Sequence, residues 1–321
     1  MKTQIEVIEF EQVVERGCGM DVHKESVVAT VAGIGVGQET RTFSTFTNAL
    51  KELRDWLKSL GVTTVAMEST GVYWKPVFNV LEADFEIMLV NARHIKNVPG
   101  HKTDSAFRDS RWITKLLLSG LLKGSFIPPV EIRELRDLFR YKRKLTGQVS
   151  AEKNRLQKIL EDANIKLSSV VSDTFGVSAT RIIDALIAGQ EDIEELVKLC
   201  HGRLNGKKEA LHEALVGKLT EHHKFMLRTI KKSMANIEEI ISQVDTQIDE
   251  QTKAYEVEIE LLQTIPGVGK DTAVGIIAEI GVDMEVFPNE QHLASWAGMS
   301  PGNNESAGKK KVHEQRTEIN I

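Results

Sequence analysis

Three strand-like segments followed by helix, strand, helix and strand occupy residues 17–125, and that order predicts an α/β domain of RNase H-like type. Long, charged helical runs after it predict a second, all-helical part, so the fold class is α/β plus α. The stretch GMDVHKESVVATVAG reads as a strand, a turn at His23–Glu25 and a second strand rich in Val and Ala. QETRTFSTFT alternates as a third strand, with Phe43 and Phe46 expected in the core. NALKELRDWLKSLG places Leu50, Leu53, Trp56, Leu57 and Leu60 at helical spacing, with Gly61 as the stop. VTTVAMEST is a fourth, mostly apolar strand, PVFNVLEAD a short helix with Pro76 near its start, and FEIMLVN a fifth strand.

From about Pro129 to Lys166, and again from about Lys207 to Leu262, the chain reads as helix. Leu135, Leu138, Phe139, Leu145, Val149, Leu156 and Leu160 form a buried stripe in that reading. Between the runs, SSVVSDTFGVSATRIIDALIAG holds one short amphipathic helix stopped by Gly189, which predicts two long antiparallel helices, a coiled-coil region, with a cap at one end. The last part begins at LLQTIPGVGKDTAVGIIAEIG, where apolar residues flank a Pro-Gly-x-Gly turn. This is a helix-hairpin-helix pattern, which grips a nucleic-acid backbone through turn N–H groups and a helix N-terminus. GVGK is not a phosphate-binding P-loop, because the first glycine of that motif would fall at Thr264. The tail, Gly-, Asn- and Lys-rich, reads as a loop. The expected domains are therefore residues 1–127, 128–258 and 259–321.

Composition narrows the function classes. The 321 residues are 41% hydrophobic and 27% charged, ordinary for a globular protein. No leader-like or membrane-spanning apolar stretch is visible, and Cys18 and Cys200 make neither a disulfide framework nor a zinc spacing. A reducing bacterial cytoplasm is the expected location, with no membrane partner. A net charge of −5 means that nucleic-acid binding must come from local basic patches. Arg136, Arg140, Lys142, Arg143 and Lys144, with Lys153, Arg155 and Lys158 beyond, form one such strip, equally readable as a solvated helix face. His222 and His223, beside Lys224, read as solvent-facing, Trp112 as core, and Tyr73 and Trp74 as core or base-stacking residues.

Four acids stand out. Asp21 lies on the first strand, with Met20 and Val22 pointing to the opposite face. Glu68 ends the fourth strand, which adjoins the first in an RNase H-like order. Asp104 and Asp109 would arrive from the last helix of the domain. Carboxylates crowded together repel unless cations neutralise them. Two Mg²⁺ (or Mn²⁺) ions about 4 Å apart suit such oxygen ligands and the displacement at a phosphodiester. Each acid also has a plain reading: a turn residue for Asp21, a strand end for Glu68, a helix cap for Asp104 and a solvent-facing position for Asp109.

GMDVHK, MESTGVYWKPV, NARHIKNVPGHKTD, DSRWITKLL, IPGVGKDTA and LASWAGMSPGNNESAGKK resemble, in this order, motifs of the DEDD insertion-sequence transposases. That family includes the Piv-type DNA invertases and the bridge-RNA-guided recombinases. The resemblance runs from about residue 17 to 311. It implies a RuvC-like N-terminal domain with metal ligands at Asp21, Glu68, Asp104 and Asp109, a helical dimerisation region and a C-terminal transposase domain. That last domain would carry a serine that attacks DNA, and Ser306 in PGNNESAGKKK is the residue chosen, ahead of Ser300 and Ser295. A hydroxyl needs activation by metal or carboxylates, and a serine in a Gly/Asn-rich loop is also ordinary turn chemistry. Expected nucleic-acid contacts are Lys102, Gly267, Gly269, Lys270, Lys309 and Lys310, with Lys311 beside them. The partners implied are DNA, a guide RNA as in the bridge-RNA members, and further copies of the chain in a dimer or tetramer.

Two departures from the family pattern accompany the resemblance. The last two aspartates are usually separated by two residues; here Ser-Ala-Phe-Arg intervenes. On a helix the wider spacing turns the side chains from about 60° to about 140° apart, which puts Asp109 with Trp112, Ile113 and Leu116 on one face and Asp104 ahead of the helix. After GKKK the chain reads VHEQRTEINI, unlike the family, which suggests a shortened or frameshifted copy that leaves Leu293 and Trp296 less covered. The functional expectation is a DNA transposase or recombinase. The alternatives are a RuvC-like structure-specific endonuclease using metal-bound water, and a truncated remnant that binds nucleic acid without catalysis.

Overall fold

The computed structural model describes residues 13–68, 71–91, 95, 106–201 and 206–299, and the backbone of 305–306 and 309–310. The chain divides into two compact units, residues 1–127 with 285–321, and residues 128–284. The helix–turn–helix after residue 256 thus lies in the second unit, whereas residues from 285 onward join the first.

The first unit is built on a five-stranded sheet. Strands β1 (Arg16–Val22), β2 (Ser26–Gly33), β3 (Val36–Ser44), β4 (Thr64–Glu68) and β5 (Glu86–Val90) lie in the order β3-β2-β1-β4-β5. β1, β2 and β3 pair antiparallel, while β4 runs parallel to β1 and to β5. This is the mixed order expected of an RNase H-like domain, with β1 at its centre. Helices α1 (Thr47–Ser59) and α2 (Trp74–Leu81) cover one face. Their Leu50, Leu53, Trp56, Leu57, Val77 and Leu81 pack on Cys18, Met20, Val27, Ala29, Val65 and Met67. α1 ends where Gly61 adopts φ +66°, as its sequence predicts.

Helix α3 (Ala106–Leu118) covers the other face. The strand alternation sends Gly17, Gly19 and Asp21 of β1, and Thr64, Ala66 and Glu68 of β4, toward it. The approach is close because glycine lies beneath the helix. A Cβ on Gly19 would stand 2.3 Å from the Thr114 backbone N and 2.6 Å from the Ser110 carbonyl O. A buried hydroxyl network fixes the contact. Gly19 N–H donates to Thr114 Oγ1 at 3.0 Å, Thr114 Oγ1 lies 2.9 Å from the Thr30 carbonyl O, and the Thr30 and Ser110 hydroxyls pair at 2.8 Å. Ile113, Leu116 and Leu117 complete the seal against Ala66, Val90 and Ile95.

Phe46 departs from expectation. It is 80% exposed, because β3 ends at Ser44 and Phe46 stands instead at the N-cap of α1, where strand alternation no longer governs. Phe43 does reach the core and packs on Trp56 with ring centroids 5.6 Å apart. Tyr73 and Trp74 divide: Trp74 is buried against Phe78, and Tyr73, at the cap of α2, is exposed. Trp112 is half-buried beside the α3 core.

In the second unit, α4 (Val130–Asp162) and α9 (Glu221–Thr252) are the two long helices. They run antiparallel, since Asp162 meets His223 at 3.0 Å near one end and Lys142 meets Asp245 at 2.8 Å toward the other. Short helices α5 (Leu167–Val170), α6 (Val177–Ala188), α7 (Ile193–Lys198) and α8 (Lys208–Ala214) cap the first of these ends around Leu156, Leu160, Ile182, Leu211 and Leu227. α6 stops at Gly189, φ +96°. His223 is not a solvated residue: its ring and the Thr220 hydroxyl form a reciprocal cap at the start of α9, and only 12% of its side chain is exposed. Lys224, 13% exposed in its side chain, pairs with Glu221.

Helices α10 (Glu256–Gln263) and α11 (Lys270–Ile280) pack through Ile259, Ala273, Val274 and Ile277 onto Ile132, Leu135 and Leu145. Three members of the basic strip make this contact rather than facing solvent. Arg136 is buried and donates to the carbonyls of Ala278 and Glu279, Arg140 grips the Glu279 carboxylate through two nitrogens, and Lys142 pairs with Asp271. Arg155 pairs with Glu152, and Lys153 lies over the Phe175 ring. Among the described residues, no helix is long and apolar enough to cross a membrane.

Back in the first unit, α12 (Glu290–Trp296) is capped by Asn289, whose Oδ1 accepts from His292 N–H. Leu293 and Trp296 are half-buried, and the Trp296 ring lies 5.8 Å from Phe287 and 6.3 Å from Phe126. In the tail, Glu305–Ser306 (β6) and Lys309–Lys310 (β7) pair antiparallel, a short ladder where the sequence suggests loop.

The glycine beneath α3 is the test of this packing. Gly19→Ala forces α3 away from the sheet, because the atoms it meets are backbone, and is expected to cost about 3 kcal/mol or more of unfolding free energy. Urea denaturation measures the loss.

Candidate active site

Asp21 and Glu68 come together because their strands are neighbours and their side-chain parity agrees. Met20 lies opposite Met67 in the parallel pairing of β1 with β4, and the next residues along are Asp21 and Glu68. Both occupy the face that α3 covers. Asp109 lies in the first turn of that helix, one residue before the buried Ser110 that hydrogen-bonds to Thr30. An acid there is also favoured by the helix dipole.

The electrostatics of Asp21 record this meeting. The residue is 7% exposed. Burial pushes its carboxyl above the ordinary value, the charges of Asp109 and Glu68 add to the rise, and His23 pulls the other way. His23 Nε2 lies 3.1 Å from Asp21 Oδ2. In the sequence alone His23 reads only as a turn residue. Its signal was the i, i+2 spacing from Asp21, which keeps two side chains on one side of an extended chain.

Oxygen-only carboxylate donors that raise one another's proton affinity match what a hard divalent cation requires. Among the described residues, no three His, Cys, Asp or Glu side chains are grouped closely enough to hold a metal ion. Asp104 and Lys102 lie outside the described residues, as do Ser300 and Lys311. Ser306 is described in its backbone, where it pairs with Lys309, next to Lys310. Ser295 is exposed on α12.

The other expected nucleic-acid contacts belong to the turn between α10 and α11. Gly267 has φ +88° and Gly269 caps α11; both are exposed, and a Cβ on either would meet open space. Lys270, the first residue of α11, pairs with Asp249 at 2.7 Å, with both side chains 60% exposed.

A raised carboxyl pKa has a definite sign for stability. The folded protein holds the Asp21 proton more tightly than the unfolded chain, so an ionised Asp21 weakens the metal-free fold above its raised pKa. That penalty fades as pH falls toward the ordinary value of 3.8. Asp21→Asn is therefore expected to raise the thermal midpoint of metal-free protein at pH 7, and to lose that advantage near pH 4. Melting curves in chelator at the two pH values provide the measurement.

Two transposase families match the chain. The DEDD transposase family of IS110 type, described as Transposase, matches residues 18–165, which include Asp21, Glu68, Asp104 and Asp109. The family described as Transposase IS116/IS110/IS902 matches residues 259–319, which include Gly267, Lys270 and Ser306 and continue past Lys311. No curated protein matches the chain. Similar solved structures include Thermus thermophilus RuvC, at 11% identity and a TM-score of 0.26 over 34% of this chain and 99% of that one. T. thermophilus RuvC in complex with Holliday junction substrate has the same identity and score, over 35% of this chain and 99% of that one. At such scores the likeness carries no further weight. With matches at both ends of the chain to one kind of transposase, the first of them spanning Asp21 and Glu68 on neighbouring strands, the protein belongs to the IS110 family of DEDD transposases.

Proposed function

We propose that this transposase exchanges DNA phosphodiesters at a divalent-metal centre built on Asp21, Glu68, Asp104 and Asp109, with Ser306 as the attacking group. The observation that supports it best is the convergence on Asp21: a buried carboxylate on the central strand feels the charges of both Glu68 and Asp109. Perturbed carboxylates cluster at functional sites. The four carboxylates would hold Mg²⁺ or Mn²⁺, which supplies charge neutralisation and Lewis acidity at the phosphate.

The chain's own groups would do the rest. The Ser306 hydroxyl would give its proton to solvent as its Oγ–P bond forms, while a P–O bond to the neighbouring deoxyribose breaks and the departing oxygen takes up a proton. The phosphodiester is thereby kept as a serine ester, and attack by a DNA hydroxyl releases the serine and rejoins the strand. Lys102, Lys309 and Lys310 would neutralise phosphate charge. The exposed turn at Gly267–Lys270, read as the bend of a helix-hairpin-helix, would hold the backbone through its N–H groups. The long pair α4 and α9 would serve as a coiled-coil, dimer- or tetramer-forming region. A guide RNA that selects the DNA sites rests on the family resemblance alone, and sequencing RNA that co-purifies with the protein tests it.

The decisive experiment is strand transfer on element-end DNA with Mg²⁺. Asp21→Ala and Glu68→Ala are each expected to lower cleavage by about 1000-fold. Ser306→Ala is expected to remove the covalent protein–DNA adduct on a denaturing gel together with strand transfer. Undiminished cleavage by Ser306→Ala would leave a water-using endonuclease. No cleavage by the unsubstituted protein would leave a nucleic-acid-binding remnant.

A further inference from the structure

His23 stands directly after β1, and the turn fixes where its ring can go. Its backbone N–H donates to the Ser26 carbonyl O at 2.9 Å, closing the connection from β1 to β2. From that anchor, Nε2 lies 3.1 Å from Asp21 Oδ2. The carboxylate can only accept, so the imidazole nitrogen donates. Asp21 has 10% of its side chain exposed and His23 has 56%, so the hydrogen bond spans the boundary between the sheet interior and solvent. Among the groups acting on Asp21, Asp109 and Glu68 are unfavourable to its charge and His23 is favourable.

A carboxylate offers about four acceptor positions, and one donor on Oδ2 leaves others for a cation while restricting rotation of the carboxylate plane. Hydrogen bonds of this kind, made to a ligand rather than to the metal, orient the ligand and tune its affinity. We infer that His23 is a positioning residue: it holds the Asp21 carboxylate in its cation-binding orientation through the Nε2–Oδ2 hydrogen bond, without entering the ligand set itself. This rests on the metal-centre reading of Asp21, Glu68, Asp104 and Asp109.

The test needs no DNA and no activity. Titration calorimetry with MnCl₂ compares the full chain with His23→Ala, His23→Gln and Asp21→Ala. His23→Ala is expected to bind Mn²⁺ about 10- to 100-fold more weakly. His23→Gln, whose amide N–H can take the place of Nε2–H, is expected to recover affinity to within about threefold. Without metal, each His23 variant should melt cooperatively, with a midpoint lowered by no more than the loss of one hydrogen bond, which shows that the variants fold. Electron spin-echo spectroscopy of bound Mn²⁺ should show no coupling to an imidazole nitrogen. Equal Mn²⁺ affinity in His23→Ala and the unsubstituted chain, failure of His23→Gln to rescue, or an imidazole coupling would overturn the inference. Mn²⁺ binding that is absent, or unchanged by Asp21→Ala, would instead overturn the metal-centre reading beneath it.

Discussion

The seat of α3 on the centre of the sheet is the constraint on which the first unit depends. A helix normally rides on a layer of strand side chains. Here β1 presents Gly17 and Gly19, and α3 descends until its own backbone and hydroxyls meet the strand. Thr114 and Ser110 supply partners that a purely apolar helix face would lack, so the buried polar groups are paired rather than stranded. The hydroxyl contacts also specify register. A slip by one residue along α3 would part Ser110 from Thr30 and carry Asp109 away from the end of the sheet where Asp21 and Glu68 lie.

That seat has an electrostatic consequence. Bringing Asp109 over β1 and β4 places it within the field of a carboxylate already withdrawn from water. The arrangement gains nothing for the metal-free fold, since burial and like charge both disfavour ionised Asp21. His23 offsets part of the cost from the solvent side. A fold that keeps acids together against this penalty holds a proton on Asp21 more readily than the same residue would alone.

The second unit solves a different problem with opposite charge. Arg136 is buried, and its guanidinium donates to two carbonyls at the C-terminal end of α11, where the helix leaves acceptors unpaired and the dipole favours a cation. Arg140 adds a two-nitrogen grip on Glu279. The basic strip of α4 is thereby divided: Arg136, Arg140 and Lys142 fasten the helix–turn–helix, while Arg143 and Lys144 remain exposed. Charge alone could not separate these roles, since both uses need arginine or lysine on the same helix.

Local periodicity by itself determined much of this protein. The period of two in β1 and β4 assigns Asp21 and Glu68 to faces, the helical spacing of Leu50, Leu53, Trp56 and Leu57 marks the core side of α1, and Gly61 and Gly189 end their helices because glycine takes a left-handed turn without strain. What only the tertiary structure decided are contacts between segments far apart in the chain. It gave Trp74 to the core and left Tyr73 outside, set His223 of α9 against Asp162 of α4, and seated Thr114 of α3 on Gly19 and Thr30. The physical reason is the range of the information. A repeat along one segment says which side of that segment is apolar, whereas the partner of a side chain depends on which other backbone comes within a few ångströms. At β1, that was decided by two missing Cβ atoms and a helix some ninety residues away.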